Sequence, residues 1–352
     1  MSRLRSDYPV THSRFFVLPV VVFCALLLGA CGVRVETAPP TEPAPTSDEI
    51  ARQAAVNDLL ATAELAHAFA DAPDISAQDK DDVLALSQAL REHAHTLGGV
   101  YDSGLPEELR TPRAESSPTS GDGEPVTAAA LVDRLTQSAT RIRATLDLPT
   151  TPDSAQVYGS LSAWFLVQAR DWASRSETPW QIPADFVEST PTDRMSALPR
   201  AQVLEWIVRD DSAAYGFEVA AAMRKPDARS LYEQRARHYR RSAHDLALAA
   251  AVDRTSEDPR AVRYDLPWTL TDDEPVPPVN EVRELAQSLA FDHGAFALSL
   301  LGEVDPKDRA IMLDVVVDDA LAADRLGVDL GPFPFIVDPD QVAIIDGALS
   351  DS

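Results

Sequence analysis

Apolar residues recur at helical spacing along most of the chain, and the stretch 201–223 shows the pattern clearly. Val203, Ile207, Ala214 and Phe217 are separated by three, four or seven residues, which places them on one face of a helix. Asp210 falls in the same stripe. A carboxylate on a buried face costs several kcal/mol unless it is paired, hydrogen-bonded or protonated. We therefore expect either an exposed helix at this point or a partner for Asp210 inside the protein.

The same periodicity predicts eight helices. A capping box at Thr46-Ser47-Asp48-Glu49 begins the first of them, and Gly98-Gly99 ends the second. The predicted helices are, in order, about 47–72, 76–97, 126–146, 154–175, 201–223, 227–252, 280–301 and 306–326.

Links of two lengths alternate between these helices. Each half of the chain shows helix, short link, helix, long link, helix, short link, helix, and the long links of about 27 residues can run the whole length of a bundle. We predict an all-α protein of two tandem four-helix bundles, the C-terminal one ferritin-like, with a long crossover between its second and third helices. The predicted segments are an N-terminal bundle, a Pro-punctuated interdomain linker, a ferritin-like bundle and a tail, at 47–176, 177–199, 200–337 and 338–352.

The first 30 residues have the pattern of an export signal. Arginines precede an apolar run over 17–28, and Leu28-Gly29-Ala30 stands directly before Cys31. This looks like a bacterial lipobox, which implies a diacylglyceryl group on Cys31 and cleavage before it. A plain signal peptide and a single transmembrane helix are the alternatives, although the apolar run is short for a bilayer span. Residues 31–46 follow as a Pro- and Thr-rich tether.

The leader sets the expected location and partners. We expect the chain to be lipid-anchored through Cys31, with palmitate or another acyl chain at its N-terminus, on the extracytoplasmic face of the cell membrane. Cys24 would leave with the leader, so the mature chain has one cysteine and no disulfide. A net charge of −25 argues against nucleic acid as a partner. An envelope protein is a possible partner.

Short motifs in the C-terminal half add a resemblance. They are Ala213-Ala214-Tyr215-Gly216-Phe217, Tyr264-Asp265-Leu266-Pro267-Trp268 and Gly331-Pro332-Phe333-Pro334. Over roughly 200–337 the chain resembles an actinobacterial family of lipoproteins with a ferritin-like domain of unknown function. The resemblance implies a fold and a compartment, and no reaction comes with it. The chain has Asp210-Asp211 where the family usually has a Glu-His pair, which weakens an inherited metal site.

Two Glu-x-x-His tetrads in the N-terminal half resemble di-iron ligand motifs, namely Glu64 to His67 and Glu92 to His95. In a hairpin that turns near residue 73, Glu64 is level with Val83, which lies nine residues from Glu92. That separation is roughly 13 Å along the helix, whereas two metals that share ligands lie about 4 Å apart. We therefore do not expect a di-metal site there. We place His93 inside, His67 at the core edge, and Glu92 and His95 on the polar face.

The C-terminal half contains a better candidate layer. In a hairpin that turns near residue 225, Asp210 is level with Arg241, and Tyr239 lies nearby on the apolar face. If the next helix runs parallel to that one, His293 falls at about the level of residue 240. Asp210, Tyr239 and His293 should then converge in mid-bundle. Asp292, Asp314 or Asp318 could reach the same layer from helix edges.

Three hypotheses fit such a layer. The first is a buried Asp–His–Tyr hydrogen-bond cluster that fixes the register of the helices. The second is a mononuclear metal site with Asp210 and His293 as ligands, although a hard divalent ion needs three or more. The third is a catalytic carboxylate–histidine pair, for which neither a substrate pocket nor an oxyanion hole is evident.

The remaining patterns are less specific. The predicted helix 227–252 has a basic outer face. This face is either solvated or a docking surface for an acidic partner, and its residues are Arg235, Arg237, Arg240 and Arg241. No P-loop, dinucleotide-binding or nucleophile-elbow motif is present. We therefore predict no catalytic residues and no cofactor, and expect a non-enzymatic binding or structural lipoprotein. The alternative is a ferritin-like metal-binding or oxidase protein with its site in the C-terminal bundle.

Overall fold

The computed structural model describes residues 44–73, 75–106, 126–186, 190–267 and 277–336. These residues contain α-helices and no strand, which confirms the all-α prediction for the described part of the chain. Each of the eight predicted helices is present. The helices are α1 Ser47–Phe69, α2 Ala77–Thr96, α3 Ala128–Ala144, α4 Pro152–Arg175, α5 Pro191–Ala197, α6 Arg200–Ala222, α7 Pro226–Ala249, α8 Val279–Glu303 and α9 Arg309–Arg325. The predicted leader, Cys31, most of the tether and the tail lie outside the described residues.

Local sequence signals explain where several helices begin and end. The Thr46 hydroxyl accepts a hydrogen bond from the backbone N–H of Glu49 at 3.2 Å, and Ser76 does the same for Asp79 at 3.0 Å. Gly98 and Gly99, just past α2, have φ angles of 81° and 65°, a conformation that glycine adopts without strain. The N-cap predicted at Thr46 therefore forms, whereas the Glu49 carboxylate of the predicted capping box pairs with Arg52 at 2.8 Å.

The helices of each half pair in the same order. In the first half α1 packs on α2 and α3, and α3 packs on α4; in the second, α6 packs on α7 and α8, and α8 packs on α9. Helix α4 also packs on α8 and α9. Residues 44–102 and the described residues from 126 onward consequently form one compact unit, with a buried apolar cluster that runs through both halves.

Polar and close contacts join the two halves. Arg143 of α3 pairs with Asp314 of α9 at 2.6 Å. Arg309 donates hydrogen bonds to the carbonyls of Leu146 and Pro149, at 3.1 and 2.7 Å. A Cβ on Gly159 of α4 would lie only 2.8 Å from Leu301 Cδ1 of α8. The absence of a side chain at position 159 thus lets α4 and α8 approach closely.

The segment predicted as an interdomain linker contains helix α5 and is packed against the neighbouring helices. Trp180 Nε1 donates to Thr136 Oγ1 at 3.0 Å, and Phe186 is buried with the Arg143 guanidinium 4.9 Å from its ring centre. A seven-residue helix was not expected here, because the prolines of the segment obscured it; Pro191 occupies the first turn of α5.

None of the described helices is long and apolar enough to cross a lipid bilayer.

Candidate functional site

The predicted layer residues meet at the centre of the second half. Asp210 of α6 contacts His293 of α8 through Asp210 Oδ1 and His293 Nε2, 2.7 Å apart. The ring of Tyr239 of α7 lies 4.5 Å from the His293 ring, centre to centre. All three side chains are buried. The structure thus brings together the three residues that the sequence placed at one level.

Helix α9 supplies a fourth residue, Asp319, which links the other three. Asp319 Oδ2 lies 2.7 Å from His293 Nδ1, and Asp319 Oδ1 accepts a hydrogen bond from the Tyr239 hydroxyl at 2.8 Å. Arg235 of α7 donates to Asp319 Oδ1 and to the Tyr239 oxygen, both at 2.7 Å. We call Asp210, Arg235, Tyr239, His293 and Asp319 the central network.

Two of these residues were missed in the sequence, although each carried a signal. Asp319 lies in the buried stripe of α9 with Met312, Val316 and Ala323, at spacings of three, four and seven. Arg235 stands one turn before Tyr239 and shares its face. It was assigned to the basic outer face of its helix, and that assignment was wrong, because the structure buries Arg235 with its charge against Asp319 and Asp318.

The geometry favours a doubly protonated His293. A carboxyl oxygen lies 2.7 Å from each ring nitrogen, and an ionised carboxylate can only accept a hydrogen bond. A ring that carries a proton on each nitrogen, an imidazolium, donates to both. Burial opposes this charge most strongly, but Asp319 and Asp210 outweigh burial and raise the pKa of His293 to about 9.

The neighbouring groups are consistent with a charged histidine. Burial favours the neutral form of Asp319, but His293 and Arg235 outweigh it and lower the pKa of Asp319 to about 2. Burial raises the pKa of Tyr239 well above its usual value, so its hydroxyl remains a donor. The Asp319 carboxylate therefore lies between two cations, His293 and Arg235.

The central network is closed to solvent. Its five side chains belong to residues that are at most 5% exposed. Trp206 lies against one side of His293, with ring centres 6.4 Å apart, and Phe217 stacks on Tyr239 at 5.8 Å. An enclosed set of ion pairs can hold helices in register, since a slip would leave a charge unpaired in an apolar core.

The arrangement does not suit the predicted metal site. Both His293 nitrogens are engaged with carboxylates, so neither has a lone pair to offer. Asp210 Oδ2 is buried and has no hydrogen-bond partner among the described residues, which leaves one free ligand atom where a divalent ion needs at least three. Within the described ranges, no group of three His, Cys, Asp or Glu side chains is placed to hold a metal.

The other acidic candidates have different partners. Asp314 pairs with Arg143 of the first half, Asp292 accepts from Ser288 at 3.0 Å, and Asp318 lies at the network edge beside Arg235 at 2.7 Å. His293 is instead bonded to Asp319 of α9 and Asp210 of α6.

The two Glu-x-x-His tetrads stay apart from this centre. Glu64, Glu92 and His95 are exposed, and His93 is buried. His67 was expected at the core edge, and that placement was wrong, because its side chain is exposed on the outer face of α1. The tetrads therefore do not assemble a shared ligand set.

Asp211, next to Asp210 on α6, links the segment that follows α7 to helices α6 and α7. It pairs with Arg240 of α7 and accepts a hydrogen bond from the Tyr264 hydroxyl at 2.8 Å. Arg240 is also paired with Glu218, at 2.9 Å. The two adjacent aspartates thus serve different neighbours, one in the core and one at its edge.

Comparison with protein-family models, with curated proteins and with solved structures finds no match to this chain.

The pH dependence of stability tests the charge on His293. The pKa of His293 is raised from 6.5 to about 9 on folding, so its contribution is fully present below pH 6.5 and is lost as the pH rises through 9. Urea unfolding between these values should show the free energy of unfolding falling by up to ~1.4 kcal/mol per pH unit. The His293→Gln protein should lack this slope, and an unchanged slope would contradict an imidazolium at this position.

A pair of neighbouring substitutions tests the network itself. Asp319→Asn leaves His293 and Arg235 as buried cations with too few anions, and we expect a loss of ~3–5 kcal/mol of stability. Asp318→Asn makes the same chemical change one residue earlier, but its side chain is 43% exposed, so we expect a loss within about 1 kcal/mol. Urea unfolding at pH 7 measures both. Equal losses would show that the buried pairs have no special role.

Proposed function

We propose that this chain is a lipid-anchored protein of the extracytoplasmic face of the cell membrane, and that its helical body is a non-enzymatic binding or structural module. The observation that carries the proposal is the closed central network. A catalytic or redox centre needs a reactive atom that a substrate can reach or a metal can bind. Here His293 is bonded to Asp210 and Asp319 through both ring nitrogens, and all three side chains are buried away from solvent.

We further propose that the second half is a ferritin-like bundle whose metal layer is replaced by ion pairs. The pairing of α6 with α7 and α8, and of α8 with α9, supports this topology. So does the long connection between the end of α7 at Ala249 and the start of α8 at Val279. The level at which Asp210, Tyr239, His293 and Asp319 meet corresponds to the position of the metal in such bundles.

The anchor and the family remain part of the proposal. They rest on Leu28-Gly29-Ala30-Cys31 and on the motifs that resemble actinobacterial lipoproteins with a ferritin-like domain of unknown function. A lipidated Cys31 followed by a Pro-rich tether would hold the acidic body away from an anionic membrane surface, which otherwise repels it. An envelope protein is then a suitable partner, and nucleic acid is not.

A metal-binding or oxidase function is the second candidate. One observation favours it: Asp210 Oδ2 is a buried carboxylate oxygen without a partner among the described residues, beside a histidine and a second aspartate. A metal would have to displace a proton from His293 and move Asp319 to gain further ligands. Metal affinity would therefore rise with pH.

The lipid anchor is tested by replacing Cys31. The Cys31→Ser chain should lose incorporation of labelled palmitate and move from the membrane fraction to the soluble fraction, because no acyl chain is attached. Cys24→Ser is the matched control, since Cys24 lies in the predicted leader, and it should remain membrane-bound. Membrane retention and labelling of the Cys31→Ser chain would refute the proposed anchor.

Metal content separates the two candidate functions. The protein of residues 32–352 includes every described residue. When it is purified from cells grown with ample metal, it should contain iron, manganese and zinc at well below one atom per chain. Elemental analysis of the purified chain measures this. Stoichiometric metal that disappears in the His293→Ala protein would establish the second candidate and overturn the proposed non-enzymatic module.

A further inference from the structure

A groove opens on the face where α2, α4 and the segment after α9 meet, and none of its lining residues belongs to the central network. Its volume is about 900 Å³, which is in the range of small-molecule sites. Its apolar lining includes three aromatic side chains, Trp164, Trp172 and Phe333. Each of these residues is less than a tenth exposed, so each ring is packed into the protein and borders the groove with only part of its surface.

A neutral histidine lies among these rings. The His93 ring centre is 4.7 Å from that of Trp164 and 5.1 Å from that of Phe333. Burial lowers the pKa of His93 to about 4, although Glu92 acts in the opposite direction. Its Nδ1 atom is buried and has no hydrogen-bond partner among the described residues. The groove therefore combines aromatic faces with one uncharged polar group, and it carries no positive charge at neutral pH from this histidine.

The charged residues of the lining are mainly acidic. Asp82, Glu92 and Asp171 carry negative charge there, against Arg175 alone with positive charge. Arg175 pairs with Asp82 and covers the Trp172 ring at 5.5 Å.

The carboxylates of the lining differ in how well they are compensated. Asp171 is paired with Arg170 at 3.0 Å. Glu92 accepts a hydrogen bond from Gln88 at 2.8 Å and has no basic partner among the described side chains. Glu92 is thus an exposed carboxylate at the edge of an aromatic groove, and it is available to a ligand.

We infer that this groove binds a small organic cation, with an apolar or aromatic body against Trp164 and Phe333 and a positively charged head beside Glu92. Aromatic faces attract cations through the negative charge of their π-systems, and an uncompensated carboxylate adds a direct ionic attraction. An anion would meet the same carboxylates and be repelled. The inference rests on the proposed binding function and names its site.

The chain's own C-terminal residues are the other occupant to consider, because Ile336 lines the groove and residues 337–352 follow it. Those residues include Asp338, Asp340, Asp346 and Asp351 and contain no Lys or Arg. Their charge has the same sign as the lining, which disfavours them as occupants and favours a separate cation.

Titration calorimetry with three similar probes tests the inference on residues 32–352. Benzyltrimethylammonium is the cation, neopentylbenzene its uncharged isostere and phenylmethanesulfonate the anion. We expect the cation to bind one site with a Kd of ~0.1–1 mM, at least about tenfold more tightly than the uncharged probe. The anion should show no saturable binding. Binding of the cation should also quench tryptophan fluorescence, since Trp164 and Trp172 line the groove.

Substitution of glutamate identifies the place of binding. Glu92→Gln should weaken cation binding about tenfold. Glu64→Gln is the matched control, because Glu64 is exposed on α1 outside this lining, and it should leave the Kd unchanged. Circular dichroism should show both proteins folded, since neither substitution removes a buried contact.

Three results would overturn the inference: no saturable cation binding, equal binding of cation and anion, or equal effects of the two substitutions. Cation binding that appears only after removal of residues 337–352 would instead assign the groove to the chain's own tail. If the cation does not bind and the purified chain contains no metal, the groove inference is refuted but the proposed non-enzymatic function is not. Stoichiometric metal at His293 overturns the proposed function whatever the groove binds.

Discussion

The ion pairs on either side of His293 are the interaction on which the second half of the protein depends. One imidazolium lies between two carboxylates that come from different helices, Asp210 of α6 and Asp319 of α9. Arg235 and Tyr239 bring α7 to the same oxygen of Asp319. All four long helices of this half therefore meet in one layer, and each charge there is acceptable in the core only because the others are present.

This constraint accounts for the way in which the helices of the second half pack. A buried network of matched charges specifies which helix faces meet and at what level, a role that apolar contacts alone fill less strictly. The same matching removes the properties that a site needs, since both ring nitrogens are bonded and solvent is excluded. The groove beside α2 and α4 is the opposite case, because it is open, has an aromatic lining and includes Glu92, which has no basic partner among the described side chains.

The helices and part of the central network were predictable from the sequence, because their signals are local. The Thr46 cap and the helical periodicity predicted the helices. Counting from the turn near residue 225, with the next helix taken as parallel, placed Asp210 and His293 near one level. Register was harder to predict for α9, which follows a short 3-10 turn, so Asp314 or Asp318 was expected near the layer and Asp319 was missed. The ion pair between Arg143 and Asp314 could not be predicted either. The helical periodicity does not show which helix faces of the two halves pack against each other.

The most direct measurement is the protonation of the His293 ring at pH 7, by nitrogen-15 NMR of the histidine side chains. Both ring nitrogens should carry a proton and remain protonated until the pH approaches 9. His93 serves as an internal reference, because its pKa is lowered to about 4 and its ring should be neutral at pH 7. A His293 ring with one unprotonated nitrogen at pH 7 would contradict the closed ion-pair network and reopen the centre of the bundle as a metal or proton-transfer site.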